Sequence, residues 1–445
     1  MTELSSNKKR KYFGTDGVRD LANTGNMTPE FALKLGRAFI KFNHGKKIVI
    51  GRDTRLSGKM LEGALSAGIA SEGANVFSIG VIPTPGVSWA IKNLHADGGA
   101  VISASHNPAE YNGIKFLGSD GCKLSDSEEL EIEQLLESDS ENNSSEIGDI
   151  YDSHELAKNY AEHIAMIPQD KFSGLRIAFD CANGAASVIV PLLLKQAGIS
   201  GHVISAKFDG LNINDKAGVM HMENLTDFVR KNNFDLGFAF DGDADRVLMS
   251  DSKGRIIDGD IILWVLAKWL KLKKYDGSDS VVVTVMSNMA LESHLENQNI
   301  KTLRCPVGDR YVLEEMRNSG AALGGEQSGH IIAMPFTSTG DGLCTAMLFL
   351  NAINDLNEDV NTLVDRFGRY PQKLTNLRLK KSRELVDMEK INEIVKDYEA
   401  RIQDGRIFIR TSGTEPLLRI LVEAKEFDIV ENFSSELSGM LEKFC

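Results

Sequence analysis

Short β-branched runs, each followed by a polar loop and an apolar stretch at helical spacing, recur along the chain. Residues 46–80 read KKIVIGRDTRLSGKMLEGALSAGIASEGANVFSIG, residues 175–210 read LRIAFDCANGAASVIVPLLLKQAGISGHVISAKFDG, and residues 280–308 read SVVVTVMSNMALESHLENQNIKTLRCPVG. Each opens as a buried strand, turns through polar residues, continues as a helix and closes in a second apolar run. This β-loop-α-β unit, used three times, predicts three related α/β domains. The pattern changes near Arg369-Tyr370-Pro371. Beyond it, strands are expected at 373–379, 406–410 and 417–423 and helices at 388–402 and 428–444, with Ile391, Ile394, Val395 and Tyr398 on one helical face. That is a small α+β module. Residues 137–152 (ESDSENNSSEIGDIYD) are acidic and poor in large apolar side chains, and read as a surface loop or linker. The expected fold is α/β with four domains: 1–150, 151–255, 256–368 and 369–445.

Composition narrows the class. The 445 residues include 50 Lys plus Arg and 63 Asp plus Glu, so the formal net charge is 50 − 63 = −13. An acidic chain of this kind argues against nucleic acid or an anionic membrane as the main partner, while leaving room for a local phosphate pocket. The cysteines (Cys122, Cys181, Cys305, Cys344, Cys445) are scattered, with no C-x-x-C pair. Neither a disulfide framework nor a structural zinc site is indicated, and a cytoplasmic location is expected. The polar start does not read as a secretory signal, and its basic run 8–11 reads as a solvated segment in preference to a nuclear-import tract. The apolar stretch 261–272 carries Lys268 and Lys271 and is too short to span a bilayer.

In α/β sheets, chemistry gathers in loops at the carboxyl ends of strands. Ala100-Val-Ile-Ser-Ala-Ser-His-Asn-Pro108 is such a loop, with Ser105 expected at an exposed tip. Serine alone is a weak nucleophile and needs a base, a metal or an attached phosphate. Ser105 and His106 are adjacent, and neighbours in sequence usually point apart. Lys115 lies ten residues on. In Phe240-Asp-Gly-Asp-Ala-Asp-Arg246, Asp241, Asp243 and Asp245 alternate and would converge in an extended loop. Three such charges repel unless a cation sits between them, and hard oxygen ligands point to Mg2+, with Ca2+ or Mn2+ as alternatives. An EF-hand does not fit, because Arg246 and Ser252 stand where Gly and Glu are needed. Gly324-Gly-Glu-Gln-Ser-Gly-His330 offers Glu326, Ser328 and His330, suited to sugar hydroxyls. Arg410-Thr-Ser-Gly-Thr-Glu-Pro416, with Arg419 beyond, combines hydroxyls, a glycine and positive charge as an anion nest. Phe13-Gly-Thr-Asp-Gly-Val-Arg19 and Cys305-Pro-Val-Gly-Asp-Arg310 are further polar turns. Gly51-Arg-Asp-Thr-Arg-Leu-Ser-Gly-Lys-Met60 is not a P-loop, because its glycine spacing is wrong and Met60 replaces Ser or Thr.

The motifs SASHNP, DGDADR, GEQSGH and RTSGTEP, in this order, resemble the α-D-phosphohexomutase family over nearly the whole chain. The resemblance implies one loop from each of four domains meeting around a central cleft. The opening KYFGTDGVR and the Gln of GEQSGH are most similar to members that interconvert glucosamine 6-phosphate and glucosamine 1-phosphate, on the route to UDP-N-acetylglucosamine and peptidoglycan precursors. It further implies that Ser105 carries a phosphoryl group, and that one Mg2+ is held by Asp241, Asp243, Asp245 and a phosphoserine oxygen. Glu326 and Ser328 would bind sugar, and Arg410, Ser412, Gly413, Thr414 and Arg419 the non-reacting phosphate. Arg19, Lys115, His106, Arg246 and His330 are candidates for charge stabilisation or proton transfer. Glucosamine 1,6-bisphosphate would be intermediate and activator, in a monomer or homodimer with only small sugar phosphates as partners. Many relatives have Gly at Ala244 and Asp20 and Pro at Thr411. If Ala244 has φ > 0, the strain is on the order of 1 kcal/mol.

Phosphoserine as donor removes the weak-nucleophile problem, since the sugar hydroxyl attacks. His330 has a suitable intrinsic pKa for a base, whereas Lys115 or Arg246 would need strong perturbation. Rival readings are a mutase for glucose or mannose phosphate, a haloacid-dehalogenase-type phosphotransferase using Asp241, and a non-catalytic sugar-phosphate-binding regulator.

Overall fold

The computed structural model describes residues 10–138, 144–170, 172–379, 388–402, 404–411 and 416–443. Each repeated unit folds as its pattern dictates. Lys47–Arg52, Gly58–Ser71 and Asn75–Val81 form strand, helix and parallel strand. Ile177–Asp180, Ala186–Ala197 and Gly201–Ile204 repeat this, as do Ser280–Thr284, Met289–Glu296 and Lys301–Cys305. The first strands are continuous apolar runs because helices cover the sheet, and Ile177–Asp180 is buried at every position.

A third strand joins each unit in the same way. Gly98–Ile102 pairs parallel with Lys47–Arg52 and antiparallel with Tyr111–Gly118. Leu236–Phe240 pairs parallel with Ile177–Asp180 and antiparallel with Val247–Asp251. Leu323–Gly325 pairs parallel with Ser280–Thr284 and antiparallel with Ile331–Ala333. The serine, aspartate and GEQSGH loops leave the carboxyl ends of these three equivalent strands. All three sheets are therefore mixed.

One continuous core joins the three units, with Val49 and Val101 from the first sheet, Phe179 and Phe238 from the second and Val281 and Leu323 from the third. The C-terminal module has a separate core of Ile391, Tyr398, Ile420 and Leu437 beneath an antiparallel sheet ordered Gln372–Arg378, Leu417–Ala424, Gly405–Thr411.

Two expectations are corrected. Within the segment read as a linker, Ile150–Asp152 is a strand, pairing parallel with Asn75–Val81 at the edge of the first sheet. This edge strand is exposed at every position and so needs few apolar residues, which is why its composition resembles a loop. Of the basic run 8–11, residues 8 and 9 lie outside the described residues, and Arg10 and Lys11 are not wholly solvated either. Buried Glu133 accepts hydrogen bonds from the backbone amides of Lys11, Tyr12 and Phe13, and Arg10 pairs with Glu129. No helix among the described residues is long and apolar enough to cross a membrane.

Candidate active site

The serine loop turns sharply at Ser105, whose φ is +49°. This left-handed conformation costs a non-glycine residue roughly 1–2 kcal/mol. It also overturns two expectations. Ser105 is not an exposed tip but is only 3% accessible. His106 does not point away from it, since its Nδ1 lies 3.3 Å from Ser105 Oγ. The aspartate loop reaches Ser105 because Gly242 has no side chain, and a Cβ there would stand 2.5 Å from the Ser105 carbonyl oxygen. Ser105 Oγ donates to Asp241 Oδ2 at 2.6 Å.

Asp241, Asp243 and Asp245 present carboxylate oxygens within 4.8 Å of one another. They converge through a tight turn rather than an extended loop, with Ala244 at φ +51° closing it and donating its N–H to the Asp241 carbonyl. The Ala244 methyl is fully buried, worth about 0.8 kcal/mol. That offsets much of the strain, which is how alanine is tolerated at this left-handed position. Thr84 Oγ1 donates to Asp243 Oδ2 at 2.6 Å and Lys115 Nζ donates to the same oxygen at 2.8 Å.

The electrostatics fit a bound cation. Burial, then the charges of Asp245 and Asp243, push the Asp241 carboxyl well above the usual range. Burial acts on Asp243 too, but Lys115 and Thr84 hold it below that range. The Oδ1 atoms of Asp243 and Asp245 are buried acceptors without a hydrogen-bond partner. A divalent cation would supply what both oxygens lack, and carboxylate oxygens are hard ligands of the kind Mg2+ takes.

Positive charge surrounds the trio. Burial disfavours charge on Lys115, yet Asp16 and Asp243 outweigh it and raise its pKa. Lys115 is thus a fixed cation, perturbed in the direction opposite to a base. Arg246 is likewise held charged by Asp245 and Asp241 against burial. His330 is 3% accessible, with Nδ1 3.5 Å from Asp245 and Nε2 3.9 Å from Asp309. Burial lowers its pKa, but these carboxylates outweigh it. His106 is only partly buried, and burial with Arg246 and Arg19 lowers its pKa. Arg19 pairs with Asp16 and reaches Asn107 Oδ1 at 3.5 Å. Gly17, at φ +74°, lets this turn lie against Ile114 and Lys115.

The GEQSGH loop joins the aspartate loop through backbone pairing of Arg246 with His330 and a hydrogen bond from Val247 N to the Gly329 carbonyl. Glu326 Oε1 accepts from Gly308 N at 3.1 Å, and Ser328 Oγ lies 3.4 Å from Glu326 Oε2. In the C-terminal module, Arg410 and Arg419 face each other across antiparallel strands and line a cavity of about 40 Å³ with Met286 of the third unit. Ser412, Gly413 and Thr414 lie outside the described residues. Asp16, Thr84 and Lys123 were missed by sequence reasoning. Lys123 bridges Asp16 to Asp309, tying the first unit to the third. Their signal is a polar or charged group set among distant partners, which no local motif carries.

Comparison with known proteins agrees with this architecture. Models of the phosphoglucomutase/phosphomannomutase family match in four parts: alpha/beta/alpha domain I over residues 10–143, domain II over 158–254, domain III over 258–370 and the C-terminal domain over 374–439. The chain is 44% identical over 439 residues to the phosphoglucosamine mutase of Halalkalibacterium halodurans, covering 97% of this chain and 98% of that one. It is 43% identical over 440 residues to that of Anoxybacillus flavithermus, with the same coverage. Among solved structures, a phosphoglucomutase/phosphomannomutase family protein from Burkholderia thailandensis superposes with a TM-score of 0.81 at 23% identity, over 97% of both chains. With four domains matched in order and relatives above forty per cent identity over nearly their whole length, the chain belongs to the phosphoglucomutase/phosphomannomutase family of α-D-phosphohexomutases and is an isomerase that transfers phosphoryl groups.

Proposed function

We propose that this chain interconverts glucosamine 6-phosphate and glucosamine 1-phosphate, with Ser105 as phosphoryl carrier and a 1,6-bisphosphate as intermediate. The observation that carries the reading is the Ser105 hydroxyl 2.6 Å from a carboxylate of the buried aspartate trio. The amino sugar is supported by the relatives named above, and supply of UDP-N-acetylglucosamine in the cytoplasm is the role that fits it.

In the forward step, a hydroxyl of the bound sugar attacks the phosphorus on Ser105. The new sugar O–P bond forms, the serine O–P bond breaks, and the hydroxyl proton ends on Ser105 Oγ. His106, beside that oxygen, is placed to carry it. Asp241, Asp243 and Asp245 would hold Mg2+, which when bound neutralises charge on the phosphoryl oxygens. Lys115, Arg19 and Arg246 add fixed positive charge around the same position. Glu326 and Ser328 contact the sugar. Arg410, Ser412, Gly413, Thr414 and Arg419 grip the phosphate that is not reacting. The bisphosphate then turns about, and the second transfer returns phosphate to Ser105.

A coupled assay with glucosamine, glucose and mannose phosphates tests the reading, with peptide mapping of the charged enzyme. Glucosamine phosphate should be preferred, Ser105→Ala should remove nearly all turnover, and acid-stable phosphate should map to Ser105. Equal use of mannose phosphate would overturn the substrate, and label on Asp241 would overturn the carrier.

A further inference from the structure

The stretch Gly51–Met60 is no P-loop, yet its Arg55 packs against the back of the serine loop. Arg55 is 1% accessible. Its Nε donates to Asp53 Oδ2 at 2.9 Å. Its Nη1 donates to the carbonyls of Pro108 and, at 2.9 Å, of Tyr111. Its Nη2 donates to the carbonyls of Ser105 at 3.0 Å and Asn107 at 2.8 Å. All five N–H donors of the guanidinium are thus used, four of them on backbone carbonyls of the serine loop and the first residue of the strand that follows it. Asn214, from the second unit, donates through Nδ2 to the same Ser105 and Asn107 carbonyls at 2.9 and 3.1 Å. On the other side, Ser105 N donates to Ser103 Oγ, and Ser103 Oγ donates to Asp53 Oδ2.

We propose that Arg55, oriented by Asp53 and joined by Asn214, is the positioning residue that holds Ser105 in its left-handed conformation with Oγ against the aspartate trio. The inference rests on Ser105 being the phosphoryl carrier, and deepens that reading. Consecutive carbonyls turned toward one side repel each other, and a left-handed serine is not self-sustaining. A planar cation with diverging donors is suited to collect them. Lysine offers three donors from one point and no fork, so Arg55→Lys keeps the charge and loses the geometry. Asn214 comes from another domain, so the clamp also sets the serine loop against the aspartate loop.

Arg55 and Asn214 bond the backbone of the serine loop and are not among the groups assigned to the sugar or its distal phosphate, so the loss should fall on transfer rather than on binding. The test compares wild type, Arg55→Lys and Asn214→Ala, each checked by circular dichroism, in steady-state turnover and in phosphorylation of the dephosphorylated enzyme by glucosamine 1,6-bisphosphate. For Arg55→Lys we expect kcat to fall about 100-fold, the penalty of a misplacement near 1 Å, with KM within roughly twofold of wild type. Asn214→Ala should lose about tenfold in kcat with the same split, and phosphorylation of Ser105 should slow in step in both. Wild-type kcat in folded Asn214→Ala and folded Arg55→Lys would overturn the proposal, as would losses in KM alone. If Arg55→Lys does not fold, Asn214→Ala decides. Absence of phosphate on Ser105 in charged wild type is a separate result, which overturns the carrier reading itself.

Discussion

At the scale of single residues, the aspartate trio is a site that pays for its own construction. Asp241, Asp243 and Asp245 lie buried and close together, and two of their oxygens have no partner. A ligand that binds only the folded state stabilises it by RT ln(1 + [L]/Kd), about 2.7 kcal/mol at 100-fold excess over Kd. Excess Mg2+ should therefore raise the wild-type melting temperature and EDTA should lower it, as read by scanning fluorimetry. Asp243→Asn should lose the response. Asp241→Asn should also lose it, yet melt higher than wild type in EDTA, because it removes the carboxyl that burial and two like charges disfavour. A wild-type protein indifferent to both additions would remove the cation from this site.

At the scale of elements, the three chemical loops were legible because each continues a strand whose apolar run is visible locally. Alternation of Asp241, Asp243 and Asp245 could be read one residue at a time. What could not be read were side chains whose meaning depends on distant partners. Arg55 looks like a surface arginine until the Pro108 and Ser105 carbonyls arrive, and Thr84 looks like a helix start until Asp243 does. The sharp serine turn was also invisible, since no glycine marks Ser105. Asp341 is another case. It caps helix Gly342–Asp355 by accepting from Cys344 N, and Tyr160 of helix Glu155–Ala165 donates to it at 2.7 Å. Burial pushes its folded carboxyl up to about 6, whereas an unfolded aspartate titrates near ~3.9. As pH rises, the unfolded chain therefore releases this proton first, so stability falls between roughly pH 4 and 6 and stays lowered above that. Asp341→Asn keeps an oxygen for the cap and removes the ionisation. Its stability relative to wild type should rise across that window by about 2–3 kcal/mol. Parallel melting profiles from about pH 4 to 8 would contradict this.

At the scale of the whole molecule, the division of cores separates what is rigid from what can move. A shared apolar core runs through the first three units, so shifting one against another would expose it. The C-terminal module keeps its own core and is tied to the third unit by hydrogen bonds. Arg406 donates to the Val285 and Ser287 carbonyls, Glu423 accepts from Met289 N and Arg406 Nε, and Asn288 exchanges hydrogen bonds with the backbone of Tyr370. Water can replace such bonds at a net cost of roughly 1 kcal/mol each, so opening this seam is cheap beside opening the shared core. The proposed cycle makes use of that difference, because a bisphosphate must be retained while it turns. Small-angle scattering should therefore give a smaller radius of gyration with saturating sugar phosphate than without. Glu423→Ala leaves Arg406 and Met289 N without their shared acceptor, which loosens the closed seam. Its KM for sugar phosphate should rise about tenfold while kcat falls less, since the serine and aspartate loops are untouched. Superimposable scattering curves with and without sugar phosphate, together with an unchanged KM in Glu423→Ala, would mean that the module does not move on this seam.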